Sequence, residues 1–295
     1  MTEPEKRRQP RLIVFNALID ELIADAEARN LALIEQRPLG PLTGFKEIDL
    51  EIGGCLAEGL NVLHGAPGTG KTAFALQIAS NSQCPCLFVT CEMTPIELLR
   101  RQIARVTKTY LGRLKTGELP ASKVRELAVE AVKTIPHLAI LDATNCAAPP
   151  ESLRIALEAT RQLNPENPHL LFVVDSIHAW VRGVSPPGSN EYEALNEGLE
   201  TLRILASQFA IPVLGVGERN RASMKSGGMN AAAGSRLFEY SAETVIDLER
   251  KEEAAPDAKG CLPVTLRLVK NRHGTPGKTF SLKFHGATQS FEESF

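Results

Sequence analysis

Residues Gly65-Ala66-Pro67-Gly68-Thr69-Gly70-Lys71-Thr72 fit the pattern G-x-x-x-x-G-K-[ST]. Glycines let a backbone curl so that successive N–H groups point inward at an anion. A lysine at the seventh position reaches β- and γ-phosphates, and a threonine at the eighth offers its hydroxyl to Mg²⁺. The flanks suit that chemistry. An apolar run, Leu60–Leu63, leads in, and a helical stretch from Thr72 to Ser80 leads out with its positive end toward the anion. The expected ligand is a nucleoside triphosphate, taken as ATP with Mg²⁺.

Two acids follow apolar strands. Leu170–Val174 runs into Asp175, the Walker B arrangement, in which a buried strand delivers a carboxylate to the metal's coordination shell. Cys86–Thr90 is followed closely by Glu92. At the carboxyl end of a strand in an open α/β sheet, Glu92 is placed to orient and deprotonate a water attacking a γ-phosphate. The simpler alternatives are a helix-capping Asp175 and a solvated Glu92 before the Thr94-Pro95 helix start.

Cations mark three further segments. Lys270 and Arg272 stand at a tight turn, Lys270-Asn271-Arg272-His273-Gly274. Such cations are ordinarily solvated, but an arginine can also be offered across a subunit boundary to a γ-phosphate. Between Arg219 and Phe238 there is no acid, while Arg219, Arg221, Lys225 and Arg236 are present among small residues. A second loop, 182–190, begins at Arg182 and contains Pro186-Pro187-Gly188. Aromatic residues are scarce in both, so contact with a nucleic-acid backbone is a better fit than base stacking. Plain solvated loops are the alternative.

Positioning these groups requires a sheet. Leu60–Leu63, Cys86–Thr90, Leu138–Leu141, Leu170–Val174 and Ile211–Val216 read as buried strands. Pro95–Val106, Ser122–Lys133, Glu151–Gln162 and Tyr192–Phe209 read as the intervening helices. That alternation predicts an α/β fold with a mostly parallel sheet. Thr244–Leu248, Val264–Val269 and Thr279–Phe284 predict an antiparallel C-terminal extension. Residues 1–10 are polar and expected to be disordered. Leu12, Phe15, Ile19, Leu22, Ile23 and Ala26 predict an amphipathic helix, and Pro38 and Pro41 make a tether to a main domain over 42–295.

Composition excludes several classes. A net charge of -2 rules out a basic coat over the whole surface, so nucleic-acid binding must use a local patch. Cys84-Pro85-Cys86 is too tight for a zinc pair, and the six cysteines read as reduced thiols in a cytoplasm. The charged start carries no cleavable apolar stretch, and no run is long enough for a bilayer.

In order, these segments resemble the RecA-like ATPase domain of DnaB-type replicative helicases, from about Leu42 to Phe295. The resemblance is carried by Leu42–Asp49 with Gly53-Gly54, by Thr90-Cys91-Glu92-Met93, by Glu239–Val245, and above all by Lys270–Gly274 followed by Phe284–Phe291. It implies a RecA-like P-loop fold with an N-terminal linker helix over 11–36 that docks on a neighbouring subunit. It also implies a homo-oligomeric ring, six-membered in that family, working on single-stranded DNA with replication or recombination proteins. Lys270 and Arg272 would then act in trans. Glu218 matches the family's γ-phosphate sensor position, usually a glutamine; an ionised glutamate only accepts hydrogen bonds. Ala233–Arg236 looks more like RadA-type recombination ATPases. A regulatory or assembly ATPase that binds proteins, or a recombination ATPase, are the alternative readings.

Overall fold

A computed structural model describes residues 12–218, 238, 240–250 and 255–294. The chain divides between Leu39 and Gly40 into two compact units. The first holds a 3-10 turn, Phe15–Leu18, leading into α1, Ile19–Ile34. The expected helix therefore becomes regular only at Ile19. Within α1, Arg29 pairs with Asp25 one turn away at 2.7 Å.

The second unit begins with α2 (Lys46–Glu51), then β1 (Gly59–Gly65), α3 (Lys71–Asn81), β2 (Cys86–Thr90) and α4 (Pro95–Thr107). Next come α5 (Leu111–Lys115), α6 (Ala121–Lys133), β3 (Leu138–Asp142), α7 (Pro150–Arg161), β4 (Leu171–Asp175) and α8 (Ile177–Val184). It ends with α9 (Glu191–Phe209), β5 (Pro212–Val216), β6 (Thr244–Arg250), β7 (Cys261–Asn271), β8 (Thr279–His285) and β9 (Ser290–Glu293). Local chemistry sets several boundaries. Pro95 opens α4, where a missing N–H costs nothing, and Ser176 and Asn190 cap α8 and α9 with side-chain oxygens.

One sheet runs in the order β3-β2-β4-β5-β1-β6-β7-β8-β9. Its strands alternate faces with period two, and the core follows. Leu171 and Val173 join Phe74, Phe88 and Leu214 on one side, while Phe172 and Val174 join Leu60, Leu87 and Val213 on the other. Burial on both faces explains why these strands read as continuous apolar runs.

One strand departs from expectation. β6 was expected within the antiparallel extension, yet it pairs parallel with β1 and is antiparallel only to β7. A parallel neighbour needs a crossover of a dozen or more residues, and 27 separate Val216 from Thr244 (217 to 243). The extension proper is β7, β8 and β9. β9, four residues long, follows a turn too short to signal a hairpin by composition. It secures α3: Gln77 Nε2 donates to Phe291 O at 2.9 Å, and Phe291 N donates to Gln77 Oε1 at 2.8 Å. Among the described residues no helix is long and apolar enough to cross a membrane.

Candidate nucleotide hydrolysis site

The parallel strands β1, β2, β4 and β5 share one register, with Thr90 opposite Asp175, Asp175 opposite Val216, and Val216 opposite Leu63. Their carboxyl ends therefore gather Gly65, Glu92, Asp175 and Glu218 along one edge, where open α/β sheets bind ligands. None of these residues is near another in sequence.

At that edge Gly65 to Thr72 forms the turn between β1 and α3. Gly68 and Gly70 have φ of 77° and 95°, the left-handed region that side chains disfavour. A Cβ at Gly70 would also stand 2.9 Å from Phe291 Cζ, so β9 enforces glycine there a second time. Thr69 Oγ1 donates to Ala66 O at 2.9 Å, tightening the turn. Lys71 Nζ donates to Gly65 O at 2.9 Å and Ala66 O at 3.1 Å, which holds the ammonium against the loop. Burial pulls the Lys71 pKa down, and the carboxylates of Glu218, Asp175 and Glu92 pull it back up.

Asp175 is buried, 8% exposed, at the end of β4. Desolvation pushes its pKa up to about 6; the Thr72 hydrogen bond lowers it, Glu92 raises it, and Lys71 and Arg101 lower it. A buried carboxylate beside a hydroxyl is a hard oxygen pair that gains from a divalent cation. This fits Mg²⁺, which takes one or two protein oxygens and completes its shell with phosphates and water. Among the described residues no cluster of three or more His, Cys, Asp or Glu side chains could hold a metal, and this mode of binding needs none.

Glu92 lies two residues beyond β2. Ser176 Oγ donates to its Oε1 at 2.7 Å, and Cys91 N donates to Asp175 O at 2.9 Å. The Asp175–Ser176 peptide is cis. Asp175 and Ser176, adjacent in sequence, meet different side chains: Asp175 the Thr72 hydroxyl, Ser176 the Glu92 carboxylate.

Glu218 follows β5, and its backbone N–H donates to His178 Nδ1 at 3.4 Å. Arg182 lies in the last turn of α8 and lines a cavity of about 430 Å³ with Pro186, Pro187 and Glu191. Arg219, Arg221, Lys225 and Arg236 lie outside the described residues.

Lys270 and Arg272 stand elsewhere. Asn271 is opposite Thr244, and Thr244 is opposite Asn61, near the start of β1. Asn61 precedes Gly65 by four residues, so the pair sits about 13 Å down the sheet from the first P-loop glycine, at the opposite end. There Lys270 Nζ donates to Ala242 O at 2.6 Å, and Arg272 Nη1 meets Glu243 Oε1 at 3.2 Å. Both cations are thus held by the segment that leads into β6, away from the P-loop of the same chain.

Four residues at the site escaped sequence reasoning. Ser176 and His178 follow the β4 acid, in a segment not read as a helix. Arg101 of α4 reaches Gln289 of the β8–β9 turn through its Nη1 and bears electrostatically on Asp175. Arg250 Nη1 donates to Gly68 O at 3.3 Å because β6 runs parallel to β1. Only Ser176, next to Asp175, carried any local signal.

Comparison with known proteins adds to this geometry. The family model described as "DnaB-like helicase C terminal domain" matches residues 40–293. A probable plasmid replicative DNA helicase of Chlamydia psittaci is 28% identical over 262 residues, 84% of this chain and 54% of that protein. The replicative DNA helicase DnaB of Buchnera aphidicola is 24% identical over 287 residues, 93% of this chain and 60% of that protein. The chain thus spans little more than half the length of these curated relatives. The solved ATPase domain of G40P superposes with a TM-score of 0.76 at 19% identity, covering 94% of this chain and 99% of that one, a likeness of fold.

Proposed function

Because the chain belongs to the DnaB-like helicase C-terminal domain family, we propose that it is an ATP-hydrolysing motor domain that works on single-stranded DNA as a ring, with each site completed by a neighbour. Lys71 and the loop amides Gly65 to Gly70 bind the phosphates. Thr72 and Asp175 would hold Mg²⁺, which would supply neutralisation of phosphate charge. Glu92, aimed by Ser176, takes the proton of the attacking water as the water oxygen bonds to the γ-phosphorus and the bond to the bridging oxygen breaks. Glu218 reports the γ-phosphate. Arg182, with Arg219, Arg221, Lys225 and Arg236, contacts the DNA backbone.

The observation that carries this reading is the position of Lys270 and Arg272, at the far end of the sheet from their own P-loop. A cation needed at a γ-phosphate but held there can serve only a neighbour's nucleotide, so subunits must associate for turnover. On this reading residues 11–41 are a linker helix and tether that dock on the next subunit, residues 42–295 are the motor, and the ring is a hexamer. Replication or recombination proteins are its expected partners.

The test pairs two measurements. ATPase rate against protein dilution should collapse as subunits separate, and labelled single-stranded oligonucleotide should bind with a non-hydrolysable ATP analogue in low salt. Phosphate contacts strengthen as salt falls. An absence of oligonucleotide binding at every salt would move the assignment to a protein-binding regulatory ATPase. Full-rate hydrolysis by a monomer would remove the ring.

A further inference from the structure

We propose that His178 is a positioning residue that ties Glu218 to helix α8 and, through that helix, to the cavity wall bearing Arg182. The inference rests on the nucleotide site proposed above. α8 is two turns long, short enough to move as one body. Its cap, Ser176, donates to the candidate base Glu92 at 2.7 Å. Two residues on, His178 Nδ1 accepts the Glu218 N–H at 3.4 Å. One turn further, Arg182 faces the cavity of about 430 Å³ that His178 also lines. A displacement of the Glu92 carboxylate or of the Glu218 backbone therefore reaches the same helix, and the helix reaches the cavity.

The ring is held for this task. Its centroid is 5.5 Å from that of Phe238, and Phe238 packs edge-on to His64 at 4.8 Å. His64 directly precedes Gly65, so the row of three rings begins at the P-loop strand and ends at α8. To accept at Nδ1 the imidazole must be neutral, with its proton on Nε2. Burial favours that form; Glu218, Glu191 and Glu92 oppose it, and Arg182 supports it. A carboxylate at Glu218 has no hydrogen to donate, whereas its backbone N–H does, and His178 is the group that receives it. Packing alone would be served by any flat apolar ring, so the acceptor is what distinguishes the two roles.

The experiment uses the full chain and two variants, His178→Phe, which fills the site without an acceptor, and His178→Asn, whose amide oxygen stands in for Nδ1. Hydrogen exchange of residues 182–195 is measured with and without a non-hydrolysable ATP analogue and Mg²⁺, alongside analogue affinity and melting temperature. The native chain should change its exchange there on binding. His178→Phe should lose at least two thirds of that change with analogue affinity held within about twofold, and His178→Asn should keep most of it. The proposal is overturned if His178→Phe responds like the native chain, if both variants fail alike, or if native exchange there ignores the nucleotide. Absence of analogue binding to the native chain would instead bring down the nucleotide reading beneath it.

Discussion

Ser176 Oγ donates to Glu92 Oε1 at 2.7 Å, joining the residue after the β4 acid to the acid after β2. The bond fixes the direction of a carboxylate that otherwise sits on a loop. Glu92→Gln should cut ATP turnover by 10²-fold or more while nucleotide still binds, since general-base assistance is worth about 10²–10⁴. Ser176→Ala should cost less, about tenfold in kcat with little change in KM. Steady-state kinetics check both; an unchanged kcat in Glu92→Gln would remove the base assignment.

Asp175 makes stability depend on pH. Its pKa is pushed up from the ordinary 3.8 to about 6, chiefly by burial. The folded chain therefore holds this proton more tightly than the unfolded chain does. The contribution favours folding below about pH 4, is lost as pH rises from about 4 to 6, and leaves a cost of about 3 kcal/mol above that. Asp175→Asn stays neutral throughout. Without nucleotide, that variant should melt higher than the native chain at pH 7.5, with the difference shrinking toward pH 4. A difference that does not vary with pH would contradict this account.

Lys71 and Arg272 belong to opposite ends of the sheet, which makes them separable by mixing. Lys71→Ala and Arg272→Ala should each be inactive alone, an arginine finger being worth about 10³–10⁵ in kcat. Mixed, they should recover activity, because an Arg272→Ala subunit supplies an intact P-loop and a Lys71→Ala subunit supplies an intact finger. Mixtures as inactive as their components would refute action in trans. The Arg272–Glu243 contact is itself half exposed, so Glu243→Gln should alter stability by less than about 1 kcal/mol in a melt.

Gln77 satisfies both backbone groups of Phe291 from inside the core. Gln77→Leu would leave a buried N–H and a buried carbonyl unpaired, at about 1–3 kcal/mol each. Denaturant unfolding should show a lowered midpoint. Nucleotide affinity should fall with it, since Phe291 also braces Gly70.

Much of the site was legible because its signals are local. The P-loop is eight adjacent residues, and Asp175 and Glu92 follow apolar runs long enough to read as strands. The α/β class was legible for the same reason: burial on both faces leaves a mark on every strand. What failed were properties that depend on partners far along the chain. The direction of β6 is set by its neighbour β1, not by its own residues, and Arg250 meets the P-loop only because of that direction. Arg101 reaches its place through a hairpin almost two hundred residues away.

The residues alone determined that this chain carries a P-loop between a strand and a helix, because glycine conformations and a lysine at fixed spacing are demands of the local backbone. Which end of the sheet each charge occupies was decided by tertiary structure. Strand register put Glu92, Asp175 and Glu218 within reach of Lys71, and the same register carried Arg272 away from it. Register is a relation between strands, fixed by the burial of side chains on both faces, and no single segment contains it.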